Sequence, residues 1–172
     1  MNGIGATVGR IDDTVDRWWE RLRGRPIPDR IFYTASEAAD FSLIWHACGV
    51  AMAIVEDDPM IAVGLSAALG VESALINGPV KSRFKRTRPI HDAPRPHRLR
   101  RPKTSSFPSG HASAAMVAAS LLSRHPGGAA WYVAGMVVAT SRIHVRIHHA
   151  SDVAGGLVAG VALGAIARRV LG

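Results

Sequence analysis

The sequence predicts an all-α fold, a transmembrane bundle of about five spanning helices with an amphipathic helix at its N-terminus. Three observations predict it. Five apolar stretches, roughly 38–55, 60–80, 111–123, 129–141 and 152–167, are separated by charged or Pro/Gly-rich connectors. The composition is 48% hydrophobic but only 6% aromatic, with 17 Gly, which suits helices packed closely through small residues and argues against an all-β chain. The last stretch spaces Gly156, Gly160 and Gly164 four apart, a ridge that lets helices approach in lipid; in water each mid-helix glycine costs about 1 kcal/mol against Ala. A soluble bundle is the competing reading, because the stretches barely reach the roughly 20 residues of a span and the mean hydropathy is only +0.12. Stretches three to five decide for the membrane, being apolar all round rather than on one stripe.

At 172 residues the chain holds one core, and a single domain over 1–172 is expected, with 1–36 as an interfacial segment and 37–172 as the core. The first thirty residues are charged and contain no apolar h-region, so no cleaved signal is expected. Within them, 14–23 (TVDRWWERLR) sets Trp18, Trp19 and Leu22 among charges, as in a helix lying at an interface with its indoles at headgroup level; a surface helix of a soluble bundle has the same pattern. The first apolar stretch carries the lone cysteine, Cys48, which excludes an intrachain disulfide and reads as a small buried hydrophobe. The second carries Glu72. A carboxylate in an apolar helix needs a partner: a hydrogen bond near Ser66 or the neighbours of Asn77, or a salt bridge that positions a basic residue.

Between the second and third stretches, Lys81 to Lys103 holds ten Lys and Arg against one acid, Asp92. It lacks the interleaved aromatics on which bases stack, so nucleic acid is not the expected partner of the +8 net charge. Three short motifs then fall at helix boundaries: KSRFKRTRP at 81–89, PSGH at 108–111 and SRIHVRIHHASD at 141–152. Complete and in this order, they resemble the three signature motifs of the type 2 phosphatidic acid phosphatase superfamily, over about residue 37 to the C-terminus. The resemblance implies a metal-independent lipid phosphatase without a cofactor, working through a phosphohistidine. In it His148 is the nucleophile, Asp152 its partner, and His111 the group that protonates the leaving lipid oxygen and then activates water. The related vanadate-dependent haloperoxidases use a similar anion pocket.

The residue chemistry points the same way. A phosphoryl group in transfer spreads charge over its equatorial oxygens, so catalysis is mostly positioning and stabilisation by cations and N–H groups. Lys81, Arg88 and Arg142 supply the cations, the arginines as planar forks and the lysine as a point charge. Ser109 and Gly110 sit where the third apolar helix begins, so their N–H groups and the positive helix end are expected to cradle an anion. His148 and Asp152 stand four apart, so the carboxylate can accept Nδ1–H and leave Nε2 as nucleophile. Spacing alone leaves His149, three residues before Asp152, and His144, one turn before His148, open for the same part; only the family spacing selects His148. His46, His91, His97 and His125 read as interfacial hydrogen-bonding residues. His144, His148 and His149 invite a metal reading, but no carboxylate or thiolate set completes a site and the arginines repel a cation, so none is expected.

If all five stretches cross, 18 of the 21 Lys and Arg fall on the active-site face, and the positive-inside rule turns that face to the cytoplasm of a bacterial-type plasma membrane. An inward site suits a polyprenyl-linked or glycerolipid phosphate made on that leaflet. The connector between Arg88 and Ser105 borders the site and is expected to meet the head group. Two other functions compete: a soluble haloperoxidase or acid phosphatase relative, and a non-catalytic basic membrane or nucleic-acid binding protein.

Overall fold

The structure, a computed structural model, describes residues 3–90, 99–100 and 102–172. His91, Asp92, Arg95, His97, Arg98 and Arg101 of the basic connector lie outside the described residues. Seven α-helices and no strand are found among those described: α1 (Gly3–Trp19), α2 (Pro26–Ala38), α3 (Leu43–Val55), α4 (Pro59–Leu75), α5 (Gly110–Leu122), α6 (Ala130–His144) and α7 (Ala150–Val170).

α5 is the central helix. Its residues from Ala112 to Leu122 are all buried, which a helix built of Ala and Ser with few large side chains allows on every face at once. Against it α7 lays the glycine ridge. A Cβ on Gly156 or Gly160 would overlap the carbonyl oxygen of Ser109 or Ser113, and one on Gly164 would stand 2.7 Å from Ser120 Cβ, so the missing side chains are what let the two backbones meet. α6 covers an adjacent face of α5 through Gly135, where a Cβ would meet Met116 Cε at 2.8 Å. α3 and α4 form an outer hairpin, turned at Glu56–Asp58 and restarted by Pro59 with Asp58 capping Met60 N–H at 2.9 Å. Large apolar side chains point outward instead, among them Ile54, Val63, Val71, Val133, Val158 and Ile166, as in a bundle whose solvent is lipid.

Among the described residues, two helical segments are long and apolar enough to cross a membrane, Pro59–Val80 and Ala150–Val170, and a third counts if the pair Pro26–Ala38 and Asp40–Val55, bent by 67°, is one span. α5, at 13 residues, rises only about 20 Å.

The N-terminus differs from expectation. α1 runs over 3–19 rather than 14–23, and it docks on α6 and α7 instead of standing apart. Asp12 is the reason: buried, it accepts Ser151 N–H and Oγ–H, each at 2.8 Å, and ion-pairs with Arg86. Trp18 stays 66% exposed, whereas Trp19 turns inward and donates to His144 Nδ1 at 3.1 Å. α2 starts with Pro26 in its first turn, passes through residue 36 without a break and packs on α6.

Two departures from regular helix shape the end of the bundle where α3, α5 and α7 begin. Between α2 and α3, Asp40–Ser42 makes a tight turn with Phe41 at φ 54° and Ser42 at φ 59°. After α4, Ile76–Val80 widens into a π-turn around Gly78 and Pro79, which delivers Lys81. At the other end, Glu56 and His125 pair at 2.9 Å and Arg124 donates to the Gly172 carbonyl.

Candidate active site

A cavity of about 530 Å³ lies at that end, and Lys81, Arg88, Gly110, His111, Arg142 and His148 all line it. Ser109 and Asp152 stand behind its wall, each fully buried.

The turn after α6 sets His148. The Arg142 carbonyl accepts the N–H of both Ile147 and His148 at 3.1 Å, and Arg146 takes a left-handed φ of 49°, which folds the chain back beneath Arg142. His148 Nε2 lies 3.1 Å from Arg88 NH1. A guanidinium only donates, so Nε2 holds the lone pair and the ring proton sits on Nδ1, facing Asp152 Oδ2 at 3.6 Å. That separation is longer than a hydrogen bond, as such pairs often are before substrate tightens them. Burial pushes His148 down to about 3, with Arg142 and Arg88 adding to the effect and Asp152 opposing it. The ring is therefore neutral, the form in which Nε2 is a nucleophile.

Asp152 is itself held. Its Oδ2 accepts the His149 N–H at 2.8 Å and its Oδ1 accepts Arg86 NH1 at 2.6 Å, while Arg86 also donates to Ser151 Oγ at 2.7 Å. The Ser109 N–H, expected to point at an anion, donates to the Asp152 carbonyl at 2.9 Å. The cause is the α5–α7 approach at Gly156, which puts the two helix starts side by side. Ser109 Oγ caps α5 by accepting Ala112 N–H at 3.4 Å, and Gly110 is the residue that faces the cavity.

The cations are fixed from several directions. Arg88 donates to the carbonyls of Pro102, Ile147, Thr104 and Ser105 at 3.1–3.3 Å, so the far part of the basic connector is laced to the site. Arg142, buried, reaches Ser36 Oγ on α2. Lys81 donates to Asn77 Oδ1 at 2.7 Å, and a Cβ on Gly110 would stand 3.2 Å from that same oxygen, so glycine makes room for the pair. Burial, with Arg88 beside it, lowers Lys81 to about 8. Glu72 accepts from Ser113 Oγ on α5, not from Ser66, which bonds His46 Nδ1 at 2.9 Å.

The other histidines separate cleanly. His144 accepts from Trp19 on Nδ1, so its proton is on Nε2 and goes to Asp29 Oδ1 at 2.9 Å. His149 flanks the start of α7 and does not line the cavity. His111 Nε2 lies 3.1 Å from Asp40 Oδ1. Asp40, Arg86, Asn77, Ser36 and Asp12 are site residues that sequence reasoning missed. For Arg86 the only signal was membership of a run of cations, and for Asp40 a carboxylate at the mouth of an apolar stretch.

The arrangement offers a tetrahedral oxyanion three fixed cations, one uncharged imidazole with a carboxylate behind it, and a second imidazole across the cavity. Chains of known function are similar to this one. Two decaprenylphosphoryl-5-phosphoribose phosphatases of Mycobacterium tuberculosis, from strains CDC 1551 and H37Rv, are 38% identical over 93 residues, covering 54% of this chain and 52% of theirs. The chain thus spans about half the length of the curated relatives it matches. A transmembrane PAP2-type phosphatidylglycerolphosphate phosphatase from Bacillus subtilis has the same fold, with a TM-score of 0.71 at 20% identity over 99% of this chain and 87% of that one. The sequence profile of the PAP2 superfamily matches residues 60–172, a stretch that contains all three motifs and every cavity cation, and to that superfamily the chain belongs.

Proposed function

We propose that this membrane protein is a phosphatase of lipid phosphates, polyprenyl-linked or glycerolipid, that works through a phosphohistidine on His148. The observation that carries the reading is the convergence of Lys81, Arg88, Arg142, His111 and His148 on one cavity. The three side-chain cations supply the positive charge that phosphoryl transfer needs, so the mechanism is metal-independent.

In the first step the His148 Nε2 lone pair attacks phosphorus, the P–O ester bond breaks, and the departing oxygen takes a proton from His111. Arg88, now beside Nε2, moves its donor to a phosphoryl oxygen as substrate enters, and Asp152 holds the charge that develops on the His148 ring. In the second step water attacks phosphorus, gives its proton to His111, and the N–P bond breaks to release inorganic phosphate. Ser109 acts from behind the wall by joining the start of α5 to Asp152.

The five apolar stretches all cross the bilayer in this reading, with α5 and α6 spanning alongside the longer helices, and the active-site end faces the cytoplasm because the order of the stretches in the sequence assigns 18 of the 21 Lys and Arg to that side. The printed activities of the relatives, toward a phosphoribose on a decaprenyl carrier and toward phosphatidylglycerolphosphate, support both lipid classes as substrates.

The test is phosphate release in detergent with EDTA from a panel of polyprenyl-linked and glycerolipid phosphates. His148→Ala is expected to lose at least ~10³-fold in kcat; activity surviving that substitution refutes the mechanism. A reporter fused after Gly172 reads the orientation, and a cytoplasmic signal refutes the inward-facing site.

A further inference from the structure

Beside the cavity stands a second imidazole–carboxylate pair that no motif contains. His111 lines the cavity, and its buried Nε2 meets Asp40 Oδ1, just outside the lining, in an ion-pair contact of 3.1 Å whose geometry falls short of a hydrogen bond. Asp40 belongs to the break between α2 and α3, and the two residues after it, Phe41 and Ser42, both take left-handed φ values. Such backbone is unfavourable for residues other than glycine and persists where the surroundings impose it. Here Arg100 lies over the Phe41 ring at 4.4 Å, and Ser36, one turn earlier, holds Arg142. The break therefore presents Asp40 to His111 from a fixed position.

Electrostatics gives that position a purpose. Leaving-group departure needs a proton on His111, yet Lys81, Arg88 and Arg142 line the same cavity, and cations so placed oppose a charged ring. Asp40 is the carboxylate in contact with the ring. We infer that Asp40 is a positioning residue for His111: it holds Nε2 and stabilises the imidazolium, leaving Nδ1 to face the ester oxygen. The inference rests on the phosphatase reading above. In the first step the Nε2–P bond of His148 forms, the P–O bond breaks, and the oxygen's electron pair takes the His111 proton; in the second, water's proton returns to His111 as the N–P bond breaks. Asp40 remains ionised throughout and exchanges no proton.

The experiment uses the full chain in detergent and compares an alkyl phosphomonoester, whose leaving oxygen needs a proton, with p-nitrophenyl phosphate, whose leaving group does not. Asp40→Asn is expected to lower kcat on the alkyl ester by roughly 10- to 100-fold and on the aryl ester by less than about 3-fold. The double variant Asp40→Asn/His111→Ala is expected to be no slower than His111→Ala alone, since Asp40 acts only through that ring. Equal losses on both esters, no loss, or additive losses in the double variant overturn the inference. If Asp40→Asn does not fold, Asp40→Glu gives the same readout: the carboxylate shifts by one methylene, and an unchanged alkyl-to-aryl ratio overturns it equally. Failure of the phosphatase reading looks different, with the wild type hydrolysing neither ester or His148→Ala hydrolysing both.

Discussion

The α5–α7 seam and the α2–α3–α4 side of the cavity are built on opposite rules. At the seam two straight helices meet backbone to backbone, through Gly156, Gly160 and Gly164, and the side chains that matter follow from register alone. On the other side the chain is broken twice, at Asp40–Ser42 and at Ile76–Val80, and each irregular turn delivers one charged group, Asp40 or Lys81. The seam fixes Asp152, the carboxylate behind His148, by close packing. The broken side fixes Asp40, beside His111, and Lys81 by departing from helix. Close packing tolerates no added volume, whereas turns tolerate volume but not a changed end group.

The largest effect expected of that contrast is at the seam. Gly160→Leu forces side-chain atoms into the Ser113 carbonyl and Met116, and is expected to abolish folded yield, read by size-exclusion chromatography in detergent. Gly70, on α4, has nothing within 4 Å of its missing Cβ, so Gly70→Ala is expected to keep the fold and raise stability by at most about 1 kcal/mol. Should the two behave alike, the contrast is wrong.

Next comes the link between the two sides. Arg86→Ala leaves Asp152 and Asp12 without their shared cation and is expected to lower kcat by roughly 10- to 100-fold with a smaller change in KM, measured by steady-state phosphate release. Arg86→Lys restores one of the two contacts, and an intermediate rate is expected.

Lys81 tests the broken side by pH. Lowered to about 8, its ammonium is charged below that pH and neutral above it, so kcat/KM is expected to fall as pH rises through about 8. Lys81→Arg keeps the charge and is expected to flatten that limb in the same pH–rate profile. A smaller effect is expected of Asn77→Ala, which removes the acceptor that aims Lys81: a KM increase of about 3- to 10-fold with kcat little changed.

What the sequence disclosed is what sequence distance encodes. His148 and Asp152 lie one turn apart, the glycines repeat every fourth residue, and Lys81 and Arg142 sit beside helix ends, so register predicts their neighbours. The same logic misled at Ser109, because which N–H faces the cavity depends on how closely α7 approaches α5. Arg86 was invisible among ten cations, since its partner Asp12 is 74 residues away. His144 competed with His148 until Asp29 and Trp19 claimed both its nitrogens, and Trp19 is 125 residues distant. Glu72 was rightly expected to have a partner, but Ser113 rather than the nearby Ser66 provides it. The left-handed turn at Phe41–Ser42 had no glycine to announce it.

The bond from Ser109 N–H to the Asp152 carbonyl ties the start of α5 to the carboxylate behind His148. Together with the glycine contacts along the seam it sets Ser109, Gly110 and Asp152 at one spacing, so a substitution that parts the two helices displaces all three at once.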